Sequence, residues 1–382
     1  MNIMSRHIIL VVALIAIIGL IGYLEIKKPR RLDSDVQTIA ITPPPAVKDA
    51  IISAGEDRST ILKGKKATYV SAKELSGVQG YINTSAFKLA DLVGKKVILV
   101  DFWTYSCINC QRTTPYLNMW HEKYKDNGLV IVGIHTPEFE FEKNYDNVAR
   151  AVKEAGIIYP VVLDSNFGTW NAYNNRYWPH KYLIDIDGYI VYDHIGEGKY
   201  DATEQAIQDA LKERQAVLHV NDAIDTNIAL PPAIIPTNFS LVKSPEIYFG
   251  SARNQSLGNG IKGVTGIQTL SLPLKIDGNI LYLDGKWNFE SEFAQTVIGS
   301  GRIVFTYNAK NVYMVASSPS GGAGINVTRD GKPLGSEIGK DIGLGLIKDE
   351  RLYELIRGSD YGQHTIEIDI KGDLRVFTFT FG

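Results

Sequence analysis

The sequence predicts an α/β sandwich built on a mixed sheet, followed by an all-β sandwich and preceded by one membrane-spanning helix. Three observations carry this. Between residues 66 and 218, apolar runs of strand length alternate with stretches of helical spacing. After residue 242 the chain becomes rich in Gly, Ser and Asn, with short alternating runs and frequent turn signals. Residues 8–24, IILVVALIAIIGLIGYL, contain no charge. A length of 382 residues accommodates two ordinary domains with extras. The net charge of −2 offers no broad phosphate-neutralising surface, so nucleic acid is excluded as a partner.

The elements follow in order. The uncharged run sits at the short edge of the ~17–25 residues that a spanning helix needs. It ends in EIKKPRR rather than a small-x-small cleavage site, so residues 1–30 read as an uncleaved anchor that partners the membrane through residues 8–24. Residues 31–65 read as a tether, stiff at TPPPAVKD and polar at SAGEDRST. In the unit at 66–218, GKKVILVDFW reads as a strand buried on both faces. PYLNMWHEKYKDNG has helical spacing at Leu117, Trp120 and Tyr124 and a stop at Asn127-Gly128. LVIVGIHT is a second strand, YDNVARAVKEAG a second helix and YPVVLD a third strand. KYLIDIDGYIVYDHIGEG makes two strands around an Asp187-Gly188 turn, and TEQAIQDALKERQ closes as a helix. Residues 219–241, with ALPPAIIPT, read as a second linker. In the all-β unit at 242–382 the clearest strands are GRIVFTYNAKNVYMVAS, HTIEIDI and DLRVFTFTFG; DERLYELI carries a weak helical signal.

The chemistry centres on VDFWTYSCINCQRTTP, residues 100–115, which holds both cysteines of the chain. Haem attachment needs His after the second Cys, and Gln111 stands there. A closed zinc site needs four ligands; there is no second CxxC, and nothing in the spacing of His121, His135 and His180 recommends them. A structural disulfide across two residues closes too small a loop to remove much chain entropy. Redox chemistry remains. The pair falls where a buried strand passes into an amphipathic helix, which puts Cys107 at the helix N-terminus, where unpaired N–H groups and the helix dipole favour a thiolate. Cys110, one turn on, is the resolving thiol.

This stretch resembles the thioredoxin active site in register: an acid, Phe, Trp, three residues, CxxC, then Pro five residues on. The resemblance implies that Asp101 is buried beneath the pair and shuttles the proton of Cys110. It also implies that Pro115 is the helix proline and Pro179, in NNRYWPHKYLID, a cis-proline facing the cysteines. Proline there donates nothing to the ladder, leaving the preceding backbone free to pair with an extended substrate. Three further stretches, ELSGVQGYINTSAFKLADLVGKK, VGIHTPEFEFEKNYDNV and WNAYNNRYWPHKYLID, are similar to the thioredoxin-like region of DipZ-type proteins, relatives of TlpA and ResA. SPEIYFGSARN, RLYELIR and FTFTFG are similar to the β-sandwich that follows in that family, a jelly-roll of carbohydrate-binding-module type.

The resemblance implies a thiol–disulfide oxidoreductase, acting as a reductase outside the cytoplasm on disulfide-containing exported proteins, with no cofactor. It departs from the family in having one anchor where DipZ proteins carry a polytopic CcdA-type domain. A separate CcdA/DsbD-type membrane protein is therefore expected as electron donor, and an envelope glycan as a partner of the sandwich. The positive-inside rule opposes this orientation, because Lys27, Lys28, Arg30 and Arg31 follow the anchor while Arg6 alone precedes it. The sequons at Asn83, Asn238, Asn254 and Asn326 lean slightly outward. His135 and His180 read as ordinary histidines, since copper-binding Sco-type relatives use CxxxC. Thr104, three residues before Cys107, allows a thiol peroxidase as an alternative, although that pattern wants proline where Val100 stands. A second alternative uses the thioredoxin unit as scaffold in a glycan-binding protein. Tyr282, Trp287 and Phe289 could stack on a sugar, but aromatics in a sandwich belong more often to its core.

Overall fold

The computed structural model describes residues 57–228, 230–232, 237–297 and 299–382. The expected membrane helix at residues 8–24 lies outside them. Among the described residues no helix is long and apolar enough to cross a membrane.

The first lobe opens with α1 (Arg58–Thr68), which corrects the reading of this stretch as tether. Its sequence lacks an apolar face and none of its residues is buried, so pattern reading had nothing to find. The helix is held by charge. Lys65 Nζ lies 2.6 Å from Asp185 and 2.7 Å from Asp187 and also meets Glu213, while Arg58 pairs with Asp187 and Glu213. Strands β1 (Val70–Ser71), β2 (Gly80–Ile82), β3 (Val97–Trp103), β4 (Leu129–His135), β5 (Val161–Leu163), β6 (His180–Ile184) and β7 (Tyr189–Ile195) follow, interleaved with α2 (Ile108–Tyr124), α3 (Tyr145–Glu154), α4 (Gly168–Ala172) and α5 (Tyr200–Leu218).

Among the described residues these strands form one mixed sheet of order β1-β7-β6-β3-β4-β5-β2. The β3–β4 and β4–β5 pairs are parallel; β6 pairs antiparallel with β3, and β7 antiparallel with β6. All seven residues of β3 are buried, as its continuous apolar run requires of a strand covered on both faces. The hairpin between β6 and β7 turns at Asp187-Gly188, where Gly188 takes φ +85°, a conformation that a Cβ disfavours. Leu117, Trp120 and Tyr124 line the buried face of α2, as their spacing predicts.

The second lobe is all β: β8 (Ile247–Tyr248), β9 (Gly266–Leu270), β10 (Leu281–Phe289), β11 (Ala294–Thr296), β12 (Ser300–Ser317), β13 (Ala323–Arg329), β14 (Lys332–Pro333), β15 (Leu346–Ile347), β16 (Arg351–Lys371) and β17 (Arg375–Phe381). Their ladders join in one antiparallel network around a separate apolar core. The stretch DERLYELI is not helical but opens β16. Its pairing with β12 runs the length of both strands, and a ladder of that extent overrides a weak local helical preference. Trp287 and Phe289 are fully buried and Tyr282 nearly so, which makes them core residues. Asn254 is fully buried too, and its Oδ1 accepts from the Gly263 N–H, so this sequon is closed to glycosylation in the folded chain.

The lobes pack through one shared apolar cluster. Tyr313, Val315, Leu352 and Phe377 of the second lobe join Trp103, Tyr105, Ile108 and Cys110 of the first. Phe377 meets Phe139 and Phe141 edge-on, with ring centroids 5.1 and 4.9 Å away.

Candidate active site

Strand β3, central in the sheet, carries Asp101 two residues before its end at Trp103, and residues 104–106 turn the chain into α2. Cys107 is the N-cap residue of α2, with extended backbone angles. Its carbonyl accepts the Gln111 N–H at 3.0 Å, the first bond of the helix. Cys107 therefore sits at the helix end that carries the orphan N–H groups, although its side chain makes no capping hydrogen bond with them. Cys107 is partly exposed and Cys110 buried, and both thiols are free. Burial pushes the Cys110 thiol up, and the neighbouring Cys107 pushes it the same way; the nearby carboxylate of Asp101 adds to the rise. One thiol thus faces solvent while its neighbour is held protonated.

Asp101 is 2% exposed, and its Oδ1 has no hydrogen-bond partner among the described residues. Burial lifts its carboxyl to about 7, against an opposing pull from the ammonium of Lys181. Lys181 stands directly across the β3–β6 ladder from Asp101 and is fully buried, its Nζ donating to the Gly196 carbonyl at 3.0 Å. Burial lowers the pKa of Lys181, and Asp101 works to restore its charge. Burial pushes the Tyr159 hydroxyl up, and the nearby Asp101 adds to the rise.

Pro179 is buried, follows a cis peptide bond from Trp178 and immediately precedes β6. Because Phe102 pairs with His180, this register carries Pro179 to the end of the sheet where β3 gives way to the cysteine turn. Trp178 packs onto the apolar cluster that also receives Cys107, and its indole N–H donates to the Thr136 carbonyl at 2.9 Å. All four residues singled out by sequence thus gather at one end of the sheet.

Several partners were not legible in the sequence. The carboxylate of Glu142, fully buried, accepts from Ser106 Oγ at 2.6 Å and from the Phe139 N–H at 3.0 Å, steadying the residue before Cys107. The alternating acid–aromatic run EFEFE was its only local signal. Arg112 and Glu197, 85 positions apart in sequence, form a bidentate pair beside the turn, with nothing in the sequence to join them. His135 is buried against Tyr105 and Trp103, and burial pushes it down to about 3, so it is neutral. His180 is held between Asn175 and Asp193. Neither is arranged with the thiols as a ligand set. Among the described residues, the carboxylates that could converge on a metal are Asp185, Asp187 and Glu213; they lie at the opposite end of β6 and already hold Lys65.

Residues 64–211 match the family model described as redoxin, and residues 244–382 match that of the thioredoxin-like C-terminal domain. The chain is 35% identical over 315 residues to Protein DipZ of Mycobacterium bovis, covering 82% of this chain and 43% of the relative. It is 30% identical over 156 residues to the thiol-disulfide oxidoreductase ResA of Halalkalibacterium halodurans, covering 41% of this chain and 79% of that protein. With YkuV of Bacillus subtilis, also a thiol-disulfide oxidoreductase, it shares 28% identity over 142 residues, 37% of this chain and 95% of that one. The chain thus spans less than half the length of the DipZ relatives it matches.

Proposed function

Because this chain belongs to the thioredoxin-like thiol–disulfide oxidoreductases, we propose that it reduces disulfides in exported proteins through Cys107 and Cys110. The observation that carries the proposal is the asymmetry of the pair: an accessible thiol at a helix N-terminus, and a buried, protonated thiol beside a carboxyl of pKa about 7. The thiolate of Cys107 attacks one sulfur of a substrate disulfide, forming a mixed disulfide and releasing the first substrate thiol. Asp101 takes the proton from Cys110. The Cys110 thiolate then attacks the Cys107 sulfur, releasing the second substrate thiol and leaving a Cys107–Cys110 disulfide. Two electrons have passed to the substrate. A carboxyl titrating near neutrality is suited to this, since it accepts and returns a proton within the working range of pH. Pro179 shapes the contact with the substrate backbone. Restoring the dithiol takes two electrons from a separate membrane protein of the CcdA/DsbD type.

Cys107→Ser is expected to abolish reduction of insulin disulfides by the reduced protein, and a variant that keeps full activity would refute the assignment. We further place this chemistry outside the cytoplasm, anchored through residues 8–24. The support is the resemblance to DipZ; the basic residues after the anchor argue the other way. A membrane-impermeant thiol label on intact cells is expected to reach the reduced pair. Labelling only after lysis overturns this orientation.

A further inference from the structure

Arg112 ties the redox turn to the second lobe. Its side chain is 3% exposed, and one edge of the guanidinium is fully committed within the first lobe. Nε lies 2.8 Å from one carboxylate oxygen of Glu197 and Nη2 2.7 Å from the other, in the fork geometry that arginine alone supplies. Nη2 also donates at 2.8 Å to Asn109 Oδ1, between the two cysteines. The remaining nitrogen, Nη1, is buried with no hydrogen-bond acceptor among the described residues. It faces the second lobe. A Cβ placed on Gly382 would come within 2.7 Å of it and 3.4 Å from the Tyr313 ring. The ring of Phe239 lies 5.8 Å from the guanidinium carbon.

Bare of that second lobe, a guanidinium five residues past the attacking thiol would be screened by water. Covered by it, the same charge acts through a low-dielectric interior. Burial works against the charge on Arg112, Glu197 sustains it, and the thiolate form of Cys107 sustains it further.

We propose that Arg112 is a positioning residue for the redox turn, and that the second lobe, by covering its free edge, is a working part of the redox site. The inference rests on the reading of Cys107 as the attacking thiol. Its test reads that thiol directly: the pH profile of Cys107 alkylation by iodoacetamide in the reduced full-length chain, for the parent, Arg112→Gln, Arg112→Lys and Gly382→Ala, each checked for folding by its thermal transition.

Removing the charge in Arg112→Gln is expected to move the alkylation midpoint up by about half a pH unit, making alkylation below it about threefold slower. Arg112→Lys, which keeps the charge and loses the fork, recovers part of the shift. Gly382→Ala crowds Nη1 from the second lobe without substituting any residue of α2 and is expected to shift the profile the same way. A folded Arg112→Gln with the parent profile overturns the proposal. A shift in Arg112→Gln with none in Gly382→Ala removes the second lobe from it. Should Arg112→Gln fail to fold, Gly382→Ala decides alone, and an unchanged profile overturns the proposal. Alkylation is read whether or not any disulfide is turned over. Loss of insulin reduction in the parent chain, with these shifts intact, would therefore count against the proposed function and not against this inference.

Discussion

At Asp101 a carboxyl is buried in the sheet, and among the described residues its countercharge is the ammonium of Lys181 across the ladder. Its pKa rises from 3.8 to about 7, chiefly through burial. The sign of the stability effect follows. Between pH 4 and 7 the folded chain holds a proton that the unfolded chain has lost, so the parent loses stability as pH rises through that window. Asp101→Asn has no such proton to lose. Its stability relative to the parent is expected to grow with pH and to reach about 2 kcal/mol at pH 8, a figure kept below the full linkage value because Lys181 titrates with Asp101. Turnover is expected to fall by about a hundredfold, the scale of a lost proton-transfer group. Urea titrations at pH 5 and pH 8 check the first expectation, and a difference that does not change with pH would sink it.

The elements differ in what holds them. Helix α2 buries Ile108, Leu117, Trp120 and Tyr124 and tolerates Pro115 in its interior, although proline offers no N–H to the Gln111 carbonyl one turn back. Helix α1 has no such face; Lys65 sits among three carboxylates with Asp185 fully buried beneath it. Burial opposes the charge on Lys65, but its three acidic partners outweigh that and raise its pKa. Removing the cation leaves Asp185 buried against like charge. Lys65→Ala is therefore expected to cost about 2 kcal/mol, Arg58 supplying partial compensation. It should also open residues 58–68 to limited proteolysis while the rest of the lobe stays protected. Unchanged protection and an unchanged urea midpoint would show that the cluster does not hold the helix.

Across the whole molecule, the aromatic contact of Phe377 with Phe139 and Phe141 is the seam between the lobes. Phe293 packs on the same ring at 5.2 Å, and the Tyr105 hydroxyl donates to the Glu350 carbonyl at 3.0 Å just upstream of the cysteines. Each lobe has its own core, so the seam decides whether they unfold together. Phe377→Ala removes a ring that is 3% exposed and is expected to cost about 3 kcal/mol, splitting one urea transition into two. A single transition with the parent midpoint would mean that the lobes are coupled elsewhere.

Much of this architecture was legible without coordinates because it rests on local pattern. Continuous apolar runs mark strands covered on both faces, as in β3, and a 3.6-residue spacing marks α2. A CxxC at the junction of the two places one thiol at a helix end. Asp101 and Pro179 were not found by local pattern; the resemblance to the thioredoxin active site pointed to them. Where local pattern was weak or absent, the sequence misled: α1 has no apolar face, and the start of β16 takes its conformation from β12 rather than from its own residues. The partners of the site were invisible for a related reason. Lys181, Glu142 and Glu197 act through burial and through pairing with residues up to 85 positions away. The sequence by itself determined that the two sulfurs share the start of one helix, one at its N-cap and the other in its first turn. Only the packed chain decided the electrostatics around them, because a charge acquires its strength from what excludes water from it, and that is set by distant segments coming together.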